Sequence, residues 1–291
     1  MCIRDSNMTK QLLSKIEGCY SSMSKGHKRI ADYITENYDK AAFMTAAKLG
    51  DTVGVSESTV VRFASELGFS GYPQLQKALQ EVVKSRLTSV QRMEAAGGED
   101  MLEHAFSSDI ETIKATRESI SREAFNASVE AINRAKHIYV LGVRSAASLA
   151  SFAAFYLNFV YDSVALIEPA GTGEAFDQAF RINKDDVCIA ISFPRYSKQT
   201  INMLRFISDR GATVISVTDS ENSPIAQFAT HLLLARSSMV SFVDSLVAPL
   251  SLINALIAAA ASEKSGEVYS NLSSLENIWD EYQIYQTHED E

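Results

Sequence analysis

Five short segments between residues 137 and 234 are apolar at nearly every position, and helical patterns separate each from the next. They are His137-Ile-Tyr-Val-Leu141, Val164-Ala-Leu-Ile167, Val187-Cys-Ile-Ala-Ile191, Thr213-Val-Ile-Ser-Val217 and Leu232–Leu234. A strand that is apolar on both faces must be covered on both faces. The segments Ser145–Tyr161, Gly173–Phe180, Ser197–Arg210 and Pro224–Ala229 are read as the crossover helices that supply this cover. Residues 101–263 are therefore expected to form an α/β domain of three layers around a five-stranded parallel sheet. Two helices lead into it from about residue 101. An acidic helical tail, 264–291, follows through Ile278, Trp279, Tyr282 and Tyr285.

The chain before this domain has a purely helical rhythm. Leu12, Leu13 and Ile16 begin one apolar stripe, and Ile30, Ile34 and Tyr38 continue on a second helix. Residues 45–69, Thr-Ala-Ala-Lys-Leu-Gly-Asp-Thr-Val-Gly-Val-Ser-Glu-Ser-Thr-Val-Val-Arg-Phe-Ala-Ser-Glu-Leu-Gly-Phe, read as two short helices around a Gly-Val-Ser turn. Gly54 permits the turn, Val55 plugs the angle between the helices, and Ser56 caps the second. Val60, Val61, Phe63, Ala64 and Leu67 are its apolar positions, and Gly68 stops it. Small hydroxyls and a guanidinium at a helix start suit base edges in a major groove, so Ser56, Ser58, Thr59 and Arg62 are candidate DNA contacts. Lys48, Tyr72 and Lys77 are candidate phosphate-backbone contacts, which position without specifying. Ser70-Gly-Tyr-Pro73 starts another helix, with Leu75, Leu79 and Val82–Val83 inward. Residues 9–87 are thus expected to be an all-α helix-turn-helix domain. Residues 88–100, with paired glycines at 97 and 98, are the expected linker.

Charge supports this division. The chain as a whole carries a net charge of −9, but residues 1–92 hold 13 Lys+Arg against 9 Asp+Glu, and residues 93–291 hold 14 against 27. A mildly basic head on an acidic body fits a nucleic-acid-binding domain joined to something else. Cys2, Cys19 and Cys188 are odd in number and irregular in spacing, so a disulfide framework is not implied and a reducing cytoplasm is expected. The five histidines show no metal-ligand spacing. Leu246–Ala261 is very apolar but shorter than the ~20 residues a membrane span requires, and is expected to be a buried helix. Residues 1–7 fit no helical pattern and precede a second methionine, Met8, so they are expected to be disordered or foreign to the native protein.

In a parallel sheet, ligands collect beyond the carboxyl ends of the strands. Two strand-to-helix loops stand there. Leu141-Gly-Val-Arg-Ser-Ala-Ala-Ser148 offers Gly142, Arg144, Ser145 and free N–H groups at a helix start. Ile191-Ser-Phe-Pro-Arg-Tyr-Ser-Lys-Gln-Thr200 offers Ser192, Ser197 and Thr200 with Arg195 and Lys198. Hydroxyls and N–H groups of this kind can hold a phosphate or sugar hydroxyls.

From about residue 9 to 262 the chain resembles an RpiR-type bacterial transcription regulator, in which a helix-turn-helix domain precedes a sugar-isomerase (SIS) domain. The resemblance rests on the helix-turn-helix with Gly-Phe-Ser-Gly-Tyr-Pro-Gln-Leu75 after it, then Gly142 and Ser145, Ser192-Phe-Pro-Arg-Tyr-Ser197, and Val214-Ile-Ser-Val-Thr-Asp-Ser-Glu-Asn-Ser-Pro224. It implies a double-stranded DNA operator, a phosphorylated sugar or related metabolite as effector, a homodimer or homotetramer, and no cofactor. It also places Glu174 within reach of sugar hydroxyls. The chain departs from the SIS pattern Ser-x-Ser-Gly-x-Thr-x-Glu, with Pro194, Arg195, Ser197 and Gln199 at the second Ser, the Gly, the Thr and the Glu. In the first loop, usually Gly-x-Gly-x-Ser, Arg144 stands for the second Gly and Ala146 for the Ser. Two arginines thus enter the expected pocket. The alternatives to a ligand-responsive regulator are a sugar-phosphate isomerase, for which Gln199 is a poor base, and an adaptor with a vestigial pocket.

Overall fold

The computed structural model describes residues 15–16, 18–84, 88–95, 100–168 and 173–285. They cluster into two compact units, Met1–Glu99 with Ser241–Val243, and Asp100–Val240 with Asp244–Glu291. The expected apolar positions Leu12 and Leu13, the paired glycines at 97 and 98, and residues 1–7 lie outside the described residues.

The first unit is helical. Ser24 caps α1 (Lys25–Glu36), accepting from the His27 N–H, and Ile30, Ala31 and Ile34 form its buried stripe. The short α2 (Tyr38–Ala41) follows. Thr45 caps α3 (Ala46–Val53), and Gly54 ends it at φ 72°. A side chain disfavours that left-handed backbone, so glycine is the residue that makes this turn cheaply. Ser56 caps α4 (Glu57–Glu66), whose Val60, Phe63 and Ala64 are fully buried. Helix α5 (Tyr72–Lys84) packs on α2 and α4, with Leu75 and Leu79 inward. Helix α6 (Ser89–Ala95) lies inside the stretch read as linker.

The second unit opens with α7 (Met101–Ser119) and α8 (Arg122–Arg134), each capped by the side chain before it, Asp100 and Ser121. The strands are β1 (Ile138–Gly142), β2 (Val164–Ile167), β3 (Val187–Ile191), β4 (Thr213–Thr218) and β5 (His231–Leu234). All pair in parallel, in the order β2-β1-β3-β4-β5. Central strands β1 and β3 are buried at every position, as a doubly covered sheet requires. Helices α9 (Ala147–Leu157), α10 (Glu174–Ala179) and α11 (Lys198–Asp209) are crossovers. Two hydrophobic clusters flank the sheet: one gathers Leu149, Ala153 and Leu157 of α9 with Leu252, Ile253 and Leu256, the other Ala175 and Ala179 of α10 with Met203 and Ile207 of α11.

Some expectations change here. The segment Pro224–Ala229 is not a full crossover helix but a 3-10 turn, Ala226–Phe228. Only a short bridge is needed there, and a proline near its start removes a helical donor. A two-residue hairpin, β6 (Ser238–Met239) and β7 (Asp244–Ser245), had no sequence signal. The apolar segment at 246–261 is the buried helix α12 (Val247–Glu263), with Leu252, Ile253, Leu256 and Ala260 in the core. Among the described residues, no helix is long and apolar enough to cross a membrane. Helix α13 (Ser265–Glu281) forms most of the tail.

Candidate functional sites

The helix-turn-helix exposes residues on both of its helices. Ser58, Val61, Arg62 and Ser65 of α4 are exposed, as is Lys48 of α3. Ser56 does more than cap the helix. Its hydroxyl accepts from the Thr59 N–H at 3.3 Å and bonds the hydroxyls of Ser58 at 2.9 Å and Thr59 at 2.8 Å. Arg62 Nε donates to the Ser58 carbonyl at 3.3 Å. Thr59 is half-buried, and its methyl is the nearest atom to where a side chain on Gly26 of α1 would begin. It therefore packs toward α1 more than it faces outward.

Two readings of this region are corrected. Val61, one of the expected apolar positions of α4, is 39% exposed. At about 100° per residue, Val60, Phe63, Ala64 and Leu67 share one arc, and Val61 falls outside it beside Ser65 and Ser58. Tyr72, a candidate phosphate-backbone contact, is only 3% exposed. Its hydroxyl donates to the Met44 carbonyl at 2.7 Å and lies 3.4 Å from that of Ala41, and burial pushes its pKa up to about 12. The chain after α2 leaves carbonyls that need donors, and Tyr72 supplies one. Gln76 and Gln80 of α5 supply others, to Met44 at 2.9 Å and to Ala42 at 3.1 Å. Lys77 of α5 is exposed.

A further pair had no sequence signal. His27 Nδ1 of α1 bonds the Glu66 carboxylate at the far end of α4, and the His27 ring meets Phe63 edge-on at 5.8 Å. This contact holds the second helix of the motif against α1 at its carboxyl end, while Thr59 packs toward α1 at its start. Residues 39 positions apart carry no pattern that would join them beforehand.

In the second unit, the strand order reverses direction between β1 and β3. The connection from β1 leads to β2 on one side, and β3 begins on the other. Such switch points open a crevice beyond the carboxyl ends of the strands. Gly142 and Ile191 are register partners there, so both predicted loops leave the sheet side by side. Arg144 sits at φ 59°, in the left-handed region where the family pattern has glycine. Arg144 and Ser145 are exposed. Ser197 caps α11, its hydroxyl accepting from the Gln199 N–H at 3.2 Å. Ser192 is nearly buried below that helix start, while Arg195 and Lys198 are exposed on the same loop. Helix start, hydroxyls and cations suit an anion.

Two expected ligand contacts, Gly142 and Thr200, differ in position. Gly142 is buried, and a side chain on it would start 2.6 Å from the Ala146 carbonyl oxygen and 2.8 Å from the Ala150 methyl. Its role is close packing of the loop on the strand. Thr200 is fully buried, because α11 turns Thr200, Met203, Leu204 and Ile207 onto the sheet. Among the described residues its Oγ1 has no hydrogen-bond partner, and neither has the buried Oγ of Ser223 after β4. Glu174 is exposed in the first turn of α10; its neighbours 169–172 lie outside the described residues. Sequence reasoning also missed a tie between two neighbouring loops. The Tyr196 hydroxyl donates to Asp219 at 2.6 Å, and the Thr218 hydroxyl donates to the same oxygen at 3.2 Å. Asp219 thus joins the loop after β3 to the end of β4.

The opposite, amino edge of the sheet has a cavity of about 550 Å³ lined by residues including Lys136, Lys184, Asp185 and Asp186. Its charges compensate one another. Lys136 Nζ donates to Asp185 at 2.6 Å, which raises the lysine pKa and lowers that of the carboxyl. Buried Asp186 accepts from Asn183 N–H at 2.9 Å and pairs with His137 Nδ1 at 2.8 Å. We assign this edge to structure because Lys136, Asp185, His137 and Asp186 already pair with one another.

Comparison with known proteins agrees with both units. Residues 10–86 match the helix-turn-helix domain of the rpiR family, and residues 131–259 match the SIS domain. The chain is 25% identical to the HTH-type transcriptional regulator HexR of Pseudomonas aeruginosa, over 76% of this chain and 77% of that protein. It is 27% identical to an uncharacterized HTH-type transcriptional regulator, YfhH, of Escherichia coli, over 76% and 80%. Among solved structures, it is similar to the sugar isomerase domain of an RpiR transcription factor from Sphaerobacter thermophilus. That match has a TM-score of 0.56 and 29% identity, over 59% of this chain and 96% of that one. It also shares a fold with the Vibrio vulnificus NanR protein, solved with ManNAc-6P, at a TM-score of 0.59 and 23% identity over 93% and 98%.

Proposed function

We propose, from the premise that the chain belongs to the RpiR-type regulators with a helix-turn-helix and a SIS domain, that it controls transcription by binding an operator in a metabolite-dependent way. One observation carries this reading: a capped helix with exposed Arg62 and Ser58, and a switch-point crevice lined by anion-binding groups, occur in one chain. The first suits a major groove and the second a phosphate.

The effector we propose is a phosphorylated sugar or a close relative. Its phosphate would sit at the start of α11 near Ser192 and Ser197, with Arg144, Arg195 and Lys198 offering charge-assisted bonds. A guanidinium at residue 144, where the family pattern has glycine, shifts the grip from backbone toward side chains. The related NanR was solved with a sugar phosphate, which supports this class of effector.

Operator control further needs two recognition helices, so we propose a homodimer or homotetramer working in the cytoplasm. Half-sites lie about 34 Å apart per helical turn, and a small rotation mismatches them. Isomerase activity is the weaker reading. Moving a proton between adjacent carbons needs a base, and the loop has the amide Gln199 at the family's glutamate position and no histidine.

The test is a gel shift with the DNA upstream of its own gene, with and without a panel of hexose phosphates, alongside a turnover assay. Sequence-selective, salt-sensitive binding changed by one sugar phosphate is the expected result. No selectivity would overturn the regulator, and isomerisation of the sugar would restore the enzyme.

A further inference from the structure

The outer face of α4 carries Glu57, Ser58, Val61, Arg62 and Ser65, and Val61 is the one apolar side chain on it. An exposed valine adds nothing to helix stability that alanine would not exceed. The hydroxyls on this helix are already engaged. Ser58 and Thr59 both bond Ser56, and Ser65 Oγ donates to the Val61 carbonyl at 3.3 Å. Arg62 Nε donates to the Ser58 carbonyl, and the guanidinium's two terminal nitrogens have no partner among the described residues. What the face offers a groove is therefore one fork of N–H donors and, next to it, one branched hydrocarbon.

In the major groove the fork matches N7 and O6 of guanine, and the apolar feature a base pair displays there is the 5-methyl group of thymine. We propose that Val61 reads a thymine methyl in the operator, beside a guanine taken by Arg62. Val61 is then a specificity-determining residue, contributing through the small area of hydrocarbon it covers. The proposal rests on the DNA-binding reading above, and it adds what sequence that helix prefers.

Replacing thymine by deoxyuridine removes only the methyl group, so the probe leaves the protein untouched. Duplexes are first selected from a randomised library by the full-length wild-type chain. Each thymine of the selected site is then replaced singly, and binding is measured by fluorescence anisotropy for wild type, Val61→Ala and Val61→Thr. One buried methyl corresponds to a loss of about fourfold in affinity. The wild type should lose about that much at one thymine per half-site. Val61→Ala should lose nothing further at that thymine, while keeping its preference for the neighbouring guanine. Val61→Thr should fall between them.

Equal sensitivity of wild type and Val61→Ala at every thymine would overturn the role of Val61 and leave the regulator standing. Selection of no sequence by the wild type would overturn both.

Discussion

Replacing Tyr72 by Phe removes one hydroxyl and keeps the ring, and so separates a core role from a DNA contact. The hydroxyl donates to the Met44 carbonyl at 2.7 Å, and the same carbonyl accepts from Gln76 Nε2 at 2.9 Å. After the single change Met44 keeps one donor. Tyr72→Phe should therefore cost about 1 kcal/mol, the net worth of one ordinary hydrogen bond. Gln76→Ala should cost about the same. The double variant leaves the carbonyl with neither donor. The desolvation penalty of an unmet group is about 1–3 kcal/mol, and Met44 is half-buried, so the pair should cost about 1 kcal/mol more than the sum.

Urea unfolding of the full chain can be followed by two probes. Trp279 is the one tryptophan in the sequence and lies in α13 of the second unit. Its fluorescence transition should not move, while a far-UV circular dichroism component from the helical unit shifts. Alkali adds an independent check. Burial raises the Tyr72 pKa from 10.0 to about 12. The stability tied to this proton is complete below the unfolded value and is lost as pH climbs from about 10 toward 12. The Phe variant should lack that part of the slope. Its operator affinity at neutral pH should equal that of wild type. Weaker DNA binding with unchanged stability would refute the core assignment and return Tyr72 to the interface.

Gly142→Ala should lower the Trp279 unfolding midpoint, because its side chain meets the Ala146 carbonyl oxygen at 2.6 Å. Overpacking of this kind costs about 1–3 kcal/mol, and an unmoved midpoint would contradict it. Arg62→Ala should reduce discrimination between operator and random duplex by about 1–3 kcal/mol in a competition gel shift; unchanged discrimination would remove it from the interface. Arg144→Gly relieves the left-handed backbone at φ 59° while deleting a guanidinium. Calorimetry should show sugar-phosphate affinity lowered roughly tenfold or more with no loss of thermal stability. Burial pushes the Cys188 thiol up to about 12, so peptide mapping after alkylation should find it modified only in denaturant, well after the partly exposed Cys19.

How much of this was legible in advance depended on the kind of pattern involved. Strands β2 and β3 could be placed to the residue, because a run apolar on both faces ends abruptly where polar loops begin. The cap Ser56 was legible because capping is local chemistry. Val61 is apolar like its neighbours, but its helical angle, which the sequence also carries, turns it outward. Thr200 was misplaced because a hydroxyl near a helix start was read as facing the ligand, whereas helix rotation carries it to the sheet. Tyr72 was misjudged because an aromatic with a polar tip fits a groove or a core equally well.

The sequence by itself determined the classes of structure: a helical, mildly basic head, a doubly covered parallel sheet, and two strand-to-helix loops at one end of it. Periodicity and local chemistry suffice for that, because each acts within a few residues. Only the tertiary structure decided that His27 meets Glu66, that Tyr196 meets Asp219, and that the β1 and β3 loops share a switch point. Those contacts join residues from tens of positions apart. They exist because burying apolar faces brings distant segments together, and the polar groups carried along must then find partners.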